Sequence, residues 1–330
     1  MDFKQLPKVE LHLHLDCSLS FDVVQKLRPE TTLHEYKDRF IAPSKCTDLV
    51  DYINRADSAI QIMQTEEQLR AVTIDLVNQI HEDSNLYTEI RFAPLLHTQS
   101  GLKPEEVVEI VADSITEASN KKGTHAELIL CTLRHYDKQQ SLETAHLAQK
   151  FFGHGVVGFD LAADEAGYGL QNHIDAYQFV HSKGIHCTCH AGEARGAESV
   201  WEVLQLLKPE RIGHGVRSFE DSKLVDYLKE HRIHLEVCPT SNIATNVFDK
   251  HHDHNIDEIF NSGVSMNVNT DGRALSNVNL SQEYELLHKV FGWDKHHFLT
   301  CNLNGIKASF TTQNIKDHIE EQLRETYKRF

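Results

Sequence analysis

Residues with metal-binding or acid–base side chains stand at the ends of several short apolar segments. His12 and His14 are two positions apart, so on a β-strand both side chains would point to the same face. Further groups of this kind close later segments: His190, Glu193, His214 and Asp271. Three histidines and one carboxylate from separate strands would suit a divalent cation, with Zn²⁺ the first choice. The sequence therefore predicts a metal site formed by the ends of several strands.

The pair His12 and His14 has a simpler explanation when it is considered alone. Two histidines separated by one apolar residue also occur as partly buried polar side chains with ordinary partners, and so short a motif has low specificity. The corresponding positions of His190, His214 and Asp271 are harder to explain by packing. We therefore expect the metal site and keep ordinary packing as the alternative.

The segments that carry these groups are predicted to be strands that alternate with amphipathic helices. Eight strands are predicted: Val9–Asp16, Leu86–Pro94, Ala126–Leu133, Val156–Ala163, Ile185–His190, Arg211–His214, His234–Pro239 and Val264–Asp271. Helices are predicted between them: Pro104–Lys121, Ser141–Phe152, Gln171–Lys183, Ala197–Leu207 and Ser222–His231. The repeat predicts an α/β fold, a (β/α)8 TIM barrel, in which catalytic groups collect at the carboxyl ends of the strands. A doubly wound open sheet has the same alternation and is the alternative.

Two stretches depart from the strand–helix repeat. Residues 20–85 contain helical patterns at Thr47–Met63 and Glu66–Glu82, which we interpret as an insertion on the catalytic rim that serves as a lid. After Asp271 the chain is predicted to be helical, ending in Asn314–Arg329. No low-complexity linker separates these parts, so we expect residues 1–330 to form a single domain.

The composition excludes several classes of function. The formal net charge is −16, from 33 basic and 49 acidic residues, which argues against nucleic-acid binding but not against a small neutral substrate. Seven cysteines without a CxxC pair, and no visible signal peptide, favour a cytoplasmic protein. No apolar run is long enough for a membrane span, and no obligatory protein partner is indicated. The histidine-rich run from His251 to His254 is expected to be a solvated loop.

Six motifs resemble the adenosine deaminase family of metal-dependent amidohydrolases. They occur in the family's order and span most of the chain: Pro7–Asp16, Gly158–Ala162, His190–Glu193, Arg211–Gly215, Cys238–Asn242 and Asn269–Asp271. The resemblance implies one bound zinc ion with four ligands, namely His12, His14, His190 and Asp271. It implies that Glu193 manages the proton at purine N1 and that His214 orients the attacking water. Asp16 would contact the sugar, and three further residues would stand at substrate-binding positions: His14, Ala163 and Gly272.

These roles also make chemical sense. Replacing an aromatic amino group by oxygen needs a strong nucleophile, and zinc lowers the pKa of its bound water to about 7. Attack builds charge on the adjacent ring nitrogen, so an acid must donate there, and Glu193 is the candidate. The other zinc-deaminase design carries a PCxxC motif, which this sequence lacks.

The sequence departs from the family pattern at four positions that we expect near the substrate. Cys17 and Ala163 stand where glycines are expected, and Ala163 adds a Cβ where a close backbone approach is wanted. Gly272 replaces a carboxylate expected to contact purine N7, a loss of about 1–3 kcal/mol if nothing replaces it. Arg273 replaces a proline. The chemistry is therefore expected to be intact, with altered recognition of the ring.

The resemblance implies hydrolytic deamination of adenosine or 2′-deoxyadenosine to inosine or 2′-deoxyinosine and ammonia. One alternative keeps the reaction and changes the substrate to adenine, a 5′-modified adenosine or another aminated heterocycle. A second alternative is hydrolysis of an amide or ester, although that reaction does not require an acid in the ring plane at Glu193. A third is a purine-binding protein with little activity, which the presence of both Glu193 and His214 disfavours.

Overall fold

All eight predicted strands are present in the computed structural model, which describes residues 1–330. The strands pair in parallel, each with its neighbours in the chain, in the order β1 to β8. Their bounds are β1 Lys8–His14, β2 Asn85–Phe92, β3 His125–Leu133, β4 Val156–Ala162, β5 His186–Ala191, β6 Arg211–His214, β7 His234–Val237 and β8 Met266–Val268. The TIM-barrel prediction is therefore confirmed, and the doubly wound alternative is excluded because its strand order is not sequential.

The barrel closes where the first strand meets the chain that follows the last. The backbone N–H of His14 donates to the carbonyl of Asp271 at 2.7 Å, and the Asp271 N–H donates to the carbonyl of His12 at 3.0 Å. These bonds join two of the segments in which metal-binding residues are predicted.

Fifteen α-helices surround or cap the barrel. Their bounds are α1 Phe21–Leu27, α2 Leu33–Phe40, α3 Leu49–Ile53, α4 Asp57–Ile60, α5 Glu66–Glu82, α6 Pro104–Lys122, α7 Lys138–Phe151, α8 Ile174–Ser182, α9 Ala197–Leu206, α10 Ser222–Glu230, α11 Pro239–Ala244, α12 Ile256–Ser262, α13 Leu280–Phe291, α14 Lys295–Ala308 and α15 Gln313–Tyr327. The predicted barrel helices are confirmed with shifts of a few residues at their ends. None of the fifteen combines the length and apolar character that a membrane crossing requires.

Helix α6 illustrates how local sequence sets the barrel helices. Pro104 occupies its first turn, where the missing N–H costs no hydrogen bond, and Gly123 ends it in a left-handed conformation with φ 71°. Val107, Val111 and Ile115 recur at helical spacing and are buried in the main apolar core. That core is a single cluster of 70 buried side chains.

Several predicted boundaries are wrong. β1 ends at His14 rather than Asp16, because Leu15–Cys17 forms a 3₁₀ turn. β7 ends at Val237 because Pro239 opens α11, a position that suits proline. β8 ends at Val268, and the backbone becomes left-handed at Asp271, where φ is 65°. The pattern predicted as one helix over Thr47–Met63 is divided into α3, a 3₁₀ turn and α4.

The insertion after β1 covers the carboxyl ends of the strands. The Cys46 N–H donates to the carbonyl of Ala244 at 2.8 Å, and the Ala42 N–H donates to the carbonyl of Leu275 at 3.0 Å. The Tyr52 hydroxyl and the Ser276 hydroxyl are 2.7 Å apart. The insertion is therefore attached to the loops after β7 and β8, on the rim where it was predicted.

Three residues at strand ends are not glycines yet have left-handed backbones. Ala163, His214 and Asp271 have φ values of 78°, 60° and 65°. In this region Cβ crowds the following carbonyl, at a cost of about 1–2 kcal/mol per residue. Such conformations persist where the surrounding structure enforces them, and they cluster at functional sites.

Replacing Ala163 by glycine should stabilise the protein by about 1 kcal/mol, because glycine adopts φ 78° without the Cβ penalty. Ala162→Gly is the matched control. It lies at the end of β4, so glycine there should destabilise by about 0.5–1 kcal/mol. Thermal unfolding of both variants checks the prediction, and equal destabilisation would contradict it.

Candidate metal centre and substrate cavity

Four predicted ligand residues converge at the carboxyl end of the barrel. The Nε2 atoms of His14 and His190 are 3.2 Å apart. One Asp271 oxygen, Oδ1, lies 3.4 Å from His12 Nε2 and 3.4 Å from His14 Nε2. One ring nitrogen from each histidine and one carboxylate oxygen thus surround a common point.

Buried carboxylates orient two of the histidine rings. His12 Nδ1 is 2.9 Å from Glu236 Oε2, and His190 Nδ1 is 3.2 Å from Asp160 Oδ1. A carboxylate accepts, so each Nδ1 carries the proton and each Nε2 presents a lone pair to the common point. Carboxylates that hold ligating histidines in this way are usual around protein metal sites.

The donor set fits a divalent cation. His12 Nε2 is fully buried and has no hydrogen-bond partner, which is costly unless something else binds its lone pair. Three nitrogens and one carboxylate oxygen suit zinc in both number and chemistry. A second grouping, formed by His12, His214 and Cys238, is equally compact but brings in a thiol, whose pKa burial raises well above its usual range. The set with Asp271 is therefore the better metal site.

One buried guanidinium binds both carboxylates that orient the histidines. Arg91 donates to Asp160 Oδ2 at 3.0 Å and to Glu236 Oε2 at 2.7 Å, and all three side chains are inaccessible to solvent. Arg211 binds the other Glu236 oxygen, Oε1, at 2.8 Å. Neither arginine was singled out from the sequence, nor was Glu236. For Arg91 and Glu236, the sequence signal that could have identified them is a charged residue with apolar neighbours on both sides within a predicted strand.

Glu193 lies in the cavity as a buried acid. Burial raises its pKa well above the usual range, the Asp271 carboxylate adds to this rise, and a hydrogen bond from Thr245 Oγ1 at 2.9 Å opposes it. Burial thus favours the protonated form of Glu193, which can donate to a ring nitrogen.

His214 faces the same space from the end of β6. Its Nε2 is 3.5 Å from Glu193 Oε2, and its ring centroid is 4.8 Å from that of His12. Burial lowers the pKa of His214 well below its usual range, so the ring is neutral. The predicted pair of Glu193 and His214 is thus brought together beside the metal-binding residues.

A cavity of about 370 Å³ opens onto these groups. Its floor includes His14, Glu193 and Asp271, and its outer wall comes from the insertion, with Tyr52 and Ile60. A volume of this size is typical of small-molecule sites.

Asp16 lines the cavity and has an unpredicted neighbour. Burial raises the pKa of Asp16 to about 6. His97, fully buried at the end of the loop after β2, has its Nδ1 3.0 Å from the carbonyl of Met63 and its Nε2 4.0 Å from Asp16 Oδ2. Because a carbonyl accepts, Nδ1 carries the proton and Nε2 faces Asp16 as an acceptor. No sequence motif marks this histidine.

The four departures from the family pattern have different surroundings. Ala163 and Cys17 line the cavity, but Gly272 does not. A Cβ at 272 would lie 2.6 Å from Cys17 Cβ and 3.1 Å from its carbonyl oxygen. Gly272, predicted to contact the substrate, therefore lies behind Cys17. Arg273 points away and pairs with Glu10 at 2.7 Å, so its role is structural rather than in recognition.

Comparison with known proteins agrees with this geometry. The family model described as adenosine deaminase matches residues 7–326. Adenosine deaminase of Clostridium acetobutylicum is 35% identical over 325 residues, which cover 96% of this chain and 97% of the relative.

Solved structures give the same fold. An adenine deaminase from Arthrobacter aurescens has 27% identity and a TM-score of 0.89, covering 98% of this chain and 99% of its own. An amidohydrolase from Burkholderia ambifaria, solved with bound zinc, has 20% identity and a TM-score of 0.90, covering 99% of this chain and 92% of its own. The chain belongs to the adenosine deaminase family and is a hydrolytic deaminase of the amidohydrolase fold.

Proposed function

We propose that residues 1–330 form one cytoplasmic deaminase domain that uses a single zinc ion to convert adenosine or 2′-deoxyadenosine, with water, to inosine or 2′-deoxyinosine and ammonia. The observation that carries this proposal is the buried Glu193 in the same cavity as a convergent set of three histidines and a carboxylate. The curated relative at 35% identity is named adenosine deaminase, which supports the nucleoside as substrate.

The proposed zinc ligands are His12, His14, His190 and Asp271. When bound there, zinc would supply Lewis acidity that turns water into a nucleophile near neutral pH. The bound zinc in the Burkholderia ambifaria neighbour supports the choice of metal.

The protein groups manage the protons of the reaction. The purine would lie with C6 above the metal-binding residues and N1 towards Glu193, which donates its proton to N1 as water adds to C6. His214, whose Nε2 lies beside both Glu193 and the metal-binding residues, would hold the attacking oxygen. One proton of the added water passes to the amino group. Collapse of the tetrahedral adduct then breaks the C6–N6 bond, ammonia leaves, and the second water proton returns to Glu193 as the C6 oxygen becomes a carbonyl. Asp16 would bind the sugar, and Ala163 would face the ring.

A related substrate is the alternative, and two observations favour considering it. The Arthrobacter aurescens neighbour is an adenine deaminase. Cys17 lines the cavity with Gly272 behind it, so this part of the wall carries no carboxylate towards the ring. Ammonia release from adenosine, 2′-deoxyadenosine, adenine and a 5′-modified adenosine, measured with zinc-loaded protein, separates the candidates. Faster release from adenine than from both nucleosides would replace the proposal by its alternative.

Replacing Glu193 by glutamine should lower turnover of adenosine by at least about 100-fold, because the amide cannot supply the proton to N1. Zinc should stay bound, since Glu193 is not a proposed ligand. The exposed Glu198→Gln is the control and should leave turnover unchanged. Metal analysis accompanies the kinetics, and loss of zinc from the Glu193→Gln protein would show that the role is misassigned.

Replacing Glu236 by glutamine should weaken zinc binding by about 10–100-fold, because it removes the carboxylate that orients His12. Glu89→Gln is the matched control. It removes another buried partner of Arg211 and contacts none of the proposed ligands. Competition with a chelator gives both affinities. Equal weakening in the two variants would mean that lost buried charge, rather than histidine orientation, governs metal binding.

A further inference from the structure

His254 is buried, contrary to the expectation of a solvated loop for the run from His251 to His254. Only 3% of His254 is accessible, whereas His252 in the same run is exposed. The His254 ring lies against Phe248, with centroids 4.5 Å apart. It contacts no group proposed to bind metal or substrate, so the reaction as described does not use it.

The backbone determines which ring nitrogen of His254 carries the proton. The N–H of Ile256 donates to His254 Nδ1 at 3.0 Å. A backbone amide can only donate, so Nδ1 must be the acceptor. In a neutral imidazole the proton is then on Nε2, which makes Nε2 a donor.

That donor orients the next residue. His254 Nε2 is 3.2 Å from Asn242 Oδ1, and Asn242 Nδ2 is 3.1 Å from His214 Nδ1. The donor on His254 requires the amide oxygen of Asn242 to face it, which turns the amide NH₂ towards His214. The opposite amide orientation would place two donors against each other in a buried site, at the cost of a lost hydrogen bond.

The chain of bonds ends at the reaction site. His214 Nδ1 accepts from Asn242, so the single proton of the neutral His214 ring is on Nε2. That N–H faces the cavity, 3.5 Å from Glu193 Oε2. In this tautomer His214 donates a hydrogen bond to the attacking oxygen and cannot take its proton.

We propose that His254 is a positioning residue that acts through Asn242 to keep His214 in the tautomer with an Nε2–H donor directed into the cavity. The expected effect on turnover rests on the proposed function, but the tautomer of His214 can be tested without any substrate. His214 then stabilises negative charge on the attacking oxygen, and the proton that the water loses passes to the departing amino group rather than to His214.

The direct test is ¹⁵N NMR of protein labelled at histidine, with the His214 signals identified by their loss in His214→Gln. Nitrogen shifts distinguish a protonated Nε2 from an unprotonated one. We expect wild-type His214 to be protonated at Nε2 and unprotonated at Nδ1. The reverse pattern in the wild-type protein would overturn the inference, even if adenosine is deaminated. If the NMR shows the expected protonation of His214 but the protein does not deaminate adenosine, only the proposed function is refuted.

Asn242→Asp tests the link to catalysis. A carboxylate accepts from both histidines, so it should move the His214 proton to Nδ1 and leave Nε2 as an acceptor. We expect kcat to fall by about 100-fold, the loss typical of removing one donor aimed at a developing oxyanion, with KM changed much less. An unchanged kcat in a variant whose tautomer has moved would overturn the catalytic part of the inference.

A matched pair of variants at 254 separates positioning from packing. Glutamine reproduces the Nε2 position of histidine and retains a donor to Asn242, whereas asparagine is too short and reproduces only Nδ1. We expect His254→Asn to lower kcat by about tenfold and His254→Gln to recover most of that loss, in line with outer partners of active-site histidines. His252→Asn, at an exposed position, is the control. Equal losses in the glutamine and asparagine variants would show that His254 only packs.

Discussion

The orientation of two histidines at the centre of the barrel, His12 and His190, depends on one buried guanidinium. Arg91 bridges Glu236, which holds His12, and Asp160, which holds His190. Charges buried this deeply are stable only when each has a close opposite partner. Loss of any member would leave its partners uncompensated, so the ion network and the histidine geometry are retained together or lost together. The rigidity of the site therefore originates one layer below it, in the barrel interior.

The sequence predicted the barrel and the residues at its mouth for the same reason. Strand and helix signals repeat along the chain, and the carboxyl ends of parallel strands must lie together, so His190 and Asp271 could be assigned to one site from their positions alone. The prediction failed where a single residue redirects the backbone. Pro239 ends a strand by opening a helix, and the left-handed turn at Asp271 has no marker, since glycine is absent there.

The residues that support the site could not be predicted, because their roles depend on contacts between residues far apart in the sequence. Arg91 and Glu236 are charged residues between apolar neighbours in short strands. That pattern marks them as unusual, but it does not show which residues they contact across the barrel. His254 belongs to a run of polar residues that look alike in the sequence, yet His254 is buried while His252 is exposed. Cys17 and Gly272 are separated by most of the chain, so both departures could be noted from the sequence but not their contact.

The contact between Cys17 and Gly272 also couples these two positions in any redesign of the site. With this backbone, Cβ atoms at both positions would be 2.6 Å apart, so a side chain at 272 requires that the side chain at 17 give way. A carboxylate can therefore be introduced at 272 only together with glycine at 17, and the two positions behave as one unit of sequence.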